Sequence, residues 1–323
     1  MKKKTLIGIQ ITLWTCIAIF LGSIFVYSLV TDSDMGLIPT MATGKEIEYE
    51  VSLQDIEEIS LNLVSQDVYV YESNDEKLYI KHYANKELTE KEKLQVMQKG
   101  NKISITKKDK INFNLFNFNR WSLNEQVEVY IPVSYKGNLD FRTVSGELEL
   151  SDLTLDELSC HSTSGEIKLS NIKAKELSIS DTSGDCELND VEAESIQTKT
   201  TSGDVKIKDV KVDRIIASQV SGTFKIKGIG KSLDLKGVSG SIEVDLDEMA
   251  EEIQMETVSG DMELDIPEND GFELTFNTVS GDIKSDFDLS GSFNKKSSKY
   301  TYGEGKSQIN IRSTSGDLRV NKK

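Results

Sequence analysis

Seven carboxylates recur at regular intervals through the second half of this chain. Glu147, Glu166, Asp185, Asp204, Asp261, Asp282 and Asp317 each directly follow a Ser-Gly pair. Clustered carboxylates are what a hard divalent cation takes, so these side chains, stacked one above another, could bind Ca²⁺. Like charges stacked about 4.8 Å apart repel one another, and a cation would relieve that cost. Their other possible chemistry is local, because Asp and Glu beside a tight turn accept backbone N–H bonds. The turn role is the expectation and Ca²⁺ the alternative. Two units place Thr223 and Ser241 after the glycine, which interrupts the column.

The rest of the sequence is poor in reactive groups. It has 2 histidines, His82 and His161, 79 positions apart. No G-x-S-x-G elbow or phosphate-binding P-loop is present. Both histidines are expected at the surface. Cys160 and Cys186 fall at apolar positions and read as core filler. With Lys+Arg 38 against Asp+Glu 54, the net charge is −16, which argues against a nucleic-acid binder. No catalytic residue and no obligatory cofactor is expected. Two aromatic segments are candidate partner contacts. INFNLFNFNRWS carries Phe113, Phe116, Phe118 and Trp121, and a basic stretch near the C-terminus carries Phe293, Tyr300 and Tyr302. Their competing roles are packing over a solenoid end, for the first, and a solvated loop, for the second.

The carboxylates are positioned by a repeat. The Ser-Gly glycines are 146, 165, 184, 203, 222, 240, 260, 281 and 316, with spacings of 19, 19, 19, 19, 18, 20, 21 and 35. A fixed period near 19 residues signals a solenoid. Seven places before each glycine stands Leu or Ile, from Leu139 to Ile309, and two places after it an apolar residue, from Leu148 to Leu318. Two places before it is always Val or Thr. Positions −7 and −5 share one parity, and +2 and +4 share the other. This predicts two short strands and two corners per coil, with Ser-Gly at a corner because glycine tolerates φ > 0. Nine stacked coils give a rod of about 43 Å. Outward residues at +3 begin Glu149, Lys168, Glu187, Lys206, alternating in sign as ladder neighbours should. The predicted fold is therefore all-β, a parallel β-solenoid of roughly 19-residue coils.

The flanks are less regular. Residues 59–70 fit the repeat columns with Gln66 in the glycine place, residues 85–99 read as a short helix or loop, and 102–108 and 126–132 read as strands. Residues 47–138 are thus expected to form degenerate coils and a cap, and 139–323 the regular solenoid with an insertion near 288–306. Ahead of them, Thr5–Val30 is 26 residues without a charge, preceded by Lys2, Lys3 and Lys4. As a helix it would be about 39 Å long, enough to span a membrane. The lysines place residues 1–4 in the cytoplasm, with 31–46 as linker and the rest outside. A cleaved signal peptide would need a small-x-small site, and residues 28–36 offer none. An uncleaved single-pass anchor is the expectation.

The [TV]-S-G-[DE] units, the IPV segment at 131–133 before the first unit and the N-terminal anchor resemble LiaG-type proteins of the bacterial "putative adhesin" β-strand-repeat family. The stretch Tyr302-Gly303-Glu304-Gly305 adds to the likeness. That resemblance implies a membrane-anchored, extracytoplasmic protein of the cell envelope, linked in some members to envelope stress. It implies no catalytic residues. The expected role is a non-enzymatic, adhesin-like interaction with an envelope protein or wall polymer. The alternatives are a glycan-active enzyme built on a β-solenoid and a passive structural spacer.

Overall fold

A computed structural model of the protein describes residues 45–107, 124–292 and 298–323. The expected membrane anchor, and Phe113, Phe116, Phe118, Trp121 and Phe293, lie outside the described residues. No helix among the described residues is long and apolar enough to cross a membrane. The described residues form 22 strands and no helix, and Thr43–Lys323 is one compact unit with its own core.

The centre is the expected stack. Strands β9 (Leu148–Ser162), β10 (Ile167–Ser183), β11 (Cys186–Ser202), β12 (Val205–Ser221) and β13 (Phe224–Ser239) pair in parallel, each with the next. Leu148, Ile167, Cys186, Val205 and Phe224 stand directly above one another. Each coil has three sides where the sequence predicted two. In β9 the buried residues are Leu148 and Leu150, then Leu153 and Leu155, then Leu158, Cys160 and Ser162. Parity breaks twice inside this strand, so the chain must bend twice to keep every buried residue facing one core. The first bend is a column of left-handed residues. Asp152, Asn171, Asp190 and Asp209 have φ between 52° and 60°; the column stops at the next coil, where the register shifts and Gly228 stacks on Val210. Asp and Asn are the non-glycine residues that tolerate this region best.

Stack order departs from chain order at both ends. Strands β15 (Glu252–Ser259) and β16 (Met262–Ile266) form one coil, and β17 (Gly271–Ser280) and β18 (Ile283–Ser285) the next along the chain. The last coil, β21 (Ser307–Ser315) and β22 (Leu318–Lys322), slots between them. Ile309 pairs with Ile253 on one side and Leu274 on the other. At the other end, β2 (Glu58–Asn62) and β3 (Asp67–Ser73) form the early coil expected around Gln66. It lies between an outermost coil, β6 (Lys102–Lys107) and β7 (Glu125–Pro132), and the first regular coil, whose opening strand is β8 (Asn138–Arg142).

Antiparallel strands close both ends. β4 (Lys77–Ala84) pairs with β7 and with β1 (Lys45–Ser52), while β5 (Leu94–Lys99) pairs with β6. Part of 85–99, expected to be helix or loop, is thus strand. The insertion near 288–306 contributes β19 (Ser290–Ser292) and β20 (Ser298–Gly303), a hairpin laid antiparallel on β17. Tyr300 is buried in this cap, and Tyr302 packs on Phe272 and Phe287 at ring-centroid distances of 5.5 and 4.9 Å. These two candidate contact residues are therefore cap packing instead, because the end coil exposes Phe272 and needs cover.

Candidate functional site: the Ser-Gly edge

The Ser-Gly pairs align in one file: Gln66, then glycines 146, 165, 184, 203, 222, 240, 260, 316 and 281. A Cβ at each of the nine glycines would overlap the carbonyl oxygen of the residue beneath. Close approach of coil on coil is the reason shared by all nine. The positive φ expected from the sequence holds at Gly203, Gly222, Gly240, Gly260 and Gly316. The serine before each glycine faces outward and helps join the coils. Ser164 donates its N–H and its hydroxyl to the Val144 carbonyl, at 2.8 and 3.1 Å.

The acidic column occupies the next place, and its carboxylates accept backbone N–H bonds as expected, but from the neighbouring coil and not within their own turn. Asp67 accepts the N–H of Glu147, Asp185 that of Asp204, and Asp204 that of Thr223, at 2.8–3.0 Å. Beyond the chain-order swap the ladder follows the stack: Asp261 accepts from Asp317 and Asp317 from Asp282, each at 2.9 Å. One carboxylate oxygen per rung thus satisfies the next coil. Glu147 and Glu166 bind Lys168 instead, at 2.6 and 3.0 Å. Among the described residues no three His, Cys, Asp or Glu side chains lie close enough to share a metal ion. The +3 residues are in register; Lys225 pairs directly across the ladder with Glu243 at 2.7 Å, while other ion pairs run diagonally, as from Lys208 to Glu187 at 2.8 Å.

The edge is asymmetric across its width. Its crest is the Val/Thr column, fully outward, with Val144, Val220, Val238 and Val258 about half exposed and Val279 81 % exposed. One flank is the acidic column, which contains no base. The other flank, four places before each glycine, carries Arg142, Lys199, Lys236 and Arg312 against the single acid Glu256. Lys199 and Arg312 make no ion pair among the described residues, nor do Asp185, Asp204, Asp261, Asp282 and Asp317.

Beneath the crest runs an inward polar column that the sequence reading passed over: Ser162, Asp181, Thr200, Gln219, Thr257 and Ser313 are all buried. Its signal was a polar residue three places before the glycine in eight of nine units. The Ser162 hydroxyl accepts the Gly165 N–H at 2.8 Å. Asp181 is 3 % exposed, and burial pushes its carboxyl up to about 6, against the pull of Ser162 and the Thr182 amide. Cys160 and Cys186 are buried free thiols, as expected, and burial raises both, Cys186 to about 12.

His82 corrects the surface expectation. It is wholly buried at the N-terminal end, its Nε2 3.5 Å from Glu125. Glu125 also accepts from Gln66 at 2.6 Å and from Lys107. Burial alone would raise Glu125, but the His82, Lys107 and Gln66 donors outweigh it and hold it below the usual range. His161 is half-buried on the surface, 3.9 Å from Asp140.

Stacked in-register coils, closed at each end by antiparallel strands, define a capped parallel β-solenoid. The chain belongs to the Toastrack DUF4097 family, whose model matches residues 56–321. No curated protein matches it. Among solved structures it is similar to a "putative cell adhesion protein" of Clostridium sporogenes, at 14% identity over 87% of this chain and 100% of that one, with a TM-score of 0.29.

Proposed function

We propose that this Toastrack protein is a membrane-anchored, extracytoplasmic interaction protein of the bacterial envelope, adhesin-like and without catalytic activity. The observation that carries the proposal is the edge itself, an exposed Val/Thr crest repeated on every regular coil over a rigid, fully paired scaffold. Periodic, outward, β-branched side chains do nothing for the core, and contiguous exposed apolar surface marks contact sites. The uncharged stretch after Lys4 supplies the anchor, and the LiaG-type resemblance supplies the envelope setting and a link to stress responses. The partner is a protein or wall polymer, and the acidic column disfavours nucleic acid.

Protease treatment of intact cells tests the address. The full chain is expected to stay with membranes after an alkaline wash and to be digested from outside. Recovery in the soluble cytoplasmic fraction would sink the proposal. Turnover of wall glycans by the purified chain would overturn the non-enzymatic part.

A further inference from the structure

We propose that the Ser-Gly edge pairs with the same edge of a second copy, the two rods lying side by side and pointing the same way. This names the partner of the interaction reading above and rests on that reading. The argument comes from the two flanks. A crest with a basic flank on one side and an acidic flank on the other is self-complementary in only one orientation. When two identical edges face each other through a two-fold axis parallel to the rods, the left flank of one meets the right flank of the other. Bases then face acids on three rungs: Arg142 meets Glu147 of the second copy, Lys199 meets Asp204, and Arg312 meets Asp317, while Lys236 meets the uncharged Ser241. The reciprocal contacts repeat on the other side of the axis, as an isologous interface requires. One rung opposes this, Glu256 against Asp261. With the rods antiparallel, acidic column meets acidic column along its whole length, a repulsion that disfavours the arrangement.

Two of the three pairs use free groups: Lys199 and Arg312 are exposed and make no ion pair among the described residues, and Asp204 and Asp317 each spend one oxygen on the backbone ladder. Arg142 and Glu147 already pair with Asp140 and Lys168 and would have to exchange those partners. Between the flanks the valines and threonines of the two crests meet. A crest about 43 Å long and a few side chains wide buries less than the roughly 800 Å² per partner of a stable interface. Pairing therefore depends on both copies being tethered to one surface, which raises their effective concentration and holds the rods parallel.

The test uses the full chain tethered by an N-terminal tag to chelating-lipid vesicles, so that it reads self-pairing whatever the protein's address in the cell. Under mild oxidation, Val238→Cys and Val279→Cys are each expected to cross-link to their own counterparts. Lys175→Cys, exposed on another side of the coil, is not. A mixture of Val144→Cys and Val279→Cys chains of different size should yield same-site dimers and no mixed dimer, since mixed dimers report antiparallel rods. Adding Lys199→Glu and Arg312→Glu should lower the Val238→Cys cross-link about tenfold, as loss of steering pairs does. Mixing that variant with a Val238→Cys chain carrying Asp204→Lys and Asp317→Lys should restore it. Melting curves confirm that each variant is folded. Equal cross-linking at 238 and 175, mixed 144–279 dimers, or indifference to charge reversal would overturn the proposal. So would capture in cells of a different protein by Val238→Cys in place of the chain itself, an outcome that leaves the interaction reading standing.

Discussion

Asp181 stands in a file where its neighbours in the stack carry hydroxyls. Ser162 lies below it and Thr200 above, and all three point inward beneath the edge. A hydroxyl there is neutral at every relevant pH, whereas a buried carboxylate is not. The folded-state value of about 6 lies above the ordinary 3.8, so the folded protein holds its proton more tightly than the unfolded chain. Stability from this group therefore falls as pH rises from about 4 to 6, and the penalty, up to about 3 kcal/mol, is complete above that window. Asp181→Asn is expected to raise the melting temperature at pH 7.5 and to give no gain near pH 4. Thermal unfolding of both proteins across that range checks it. A gain that persists unchanged into acid would show that the carboxylate is not the cause.

At the scale of the coil, the Ser-Gly corner could be read from spacing alone, because nine copies reveal every column once their glycines are aligned. The third side could not. Leu153 and Leu155 follow Leu150 at a spacing that breaks the two-residue period, and Ala174 and Ala193, which stack in turn on Leu155, are small enough to pass for surface. The bend that restores the period is marked only by Asp152, Asn171, Asp190 and Asp209, residues equally at home on a polar face. The acidic column was legible as turn capping or Ca²⁺ binding, and the structure shows backbone bonding of another kind, from one coil to the next. If Asp204 serves the ladder, Asp204→Ala leaves the Thr223 N–H without its acceptor and should cost about 1 kcal/mol. Asp204→Asn keeps an acceptor oxygen and should be nearly neutral. Paired denaturant curves check this, and equal losses for the two variants would argue for charge, and so for a bound cation, over the hydrogen bond.

Across the whole molecule, the sequence suggests that chain order is stack order, and through the middle it is. Nothing local contradicts the same assumption at the ends, because a coil placed in either order presents the same apolar columns to its neighbours. Only the 35-residue gap before the last glycine and the degenerate unit at Gln66 hint otherwise. The consequence is that the first and last coils in sequence are both interior to the stack, each held on one side by a coil that is not its neighbour in chain order. Two deletions of nearly equal length should therefore behave differently. Removing residues 185–203 takes out one whole period, and coil 167–183 then meets coil 205–221 with the same columns in register, so cooperative unfolding should survive at a somewhat lower temperature. Removing residues 307–323 leaves a slot between the coils at Gly260 and Gly281, whose facing ladders lose their partner. Amide exchange in that variant should speed up across residues 252–303 while the coils from 148 to 221 keep their protection. Uniform protection throughout would mean that the two coils had closed on each other, and that the intercalated coil adds length without holding the end together.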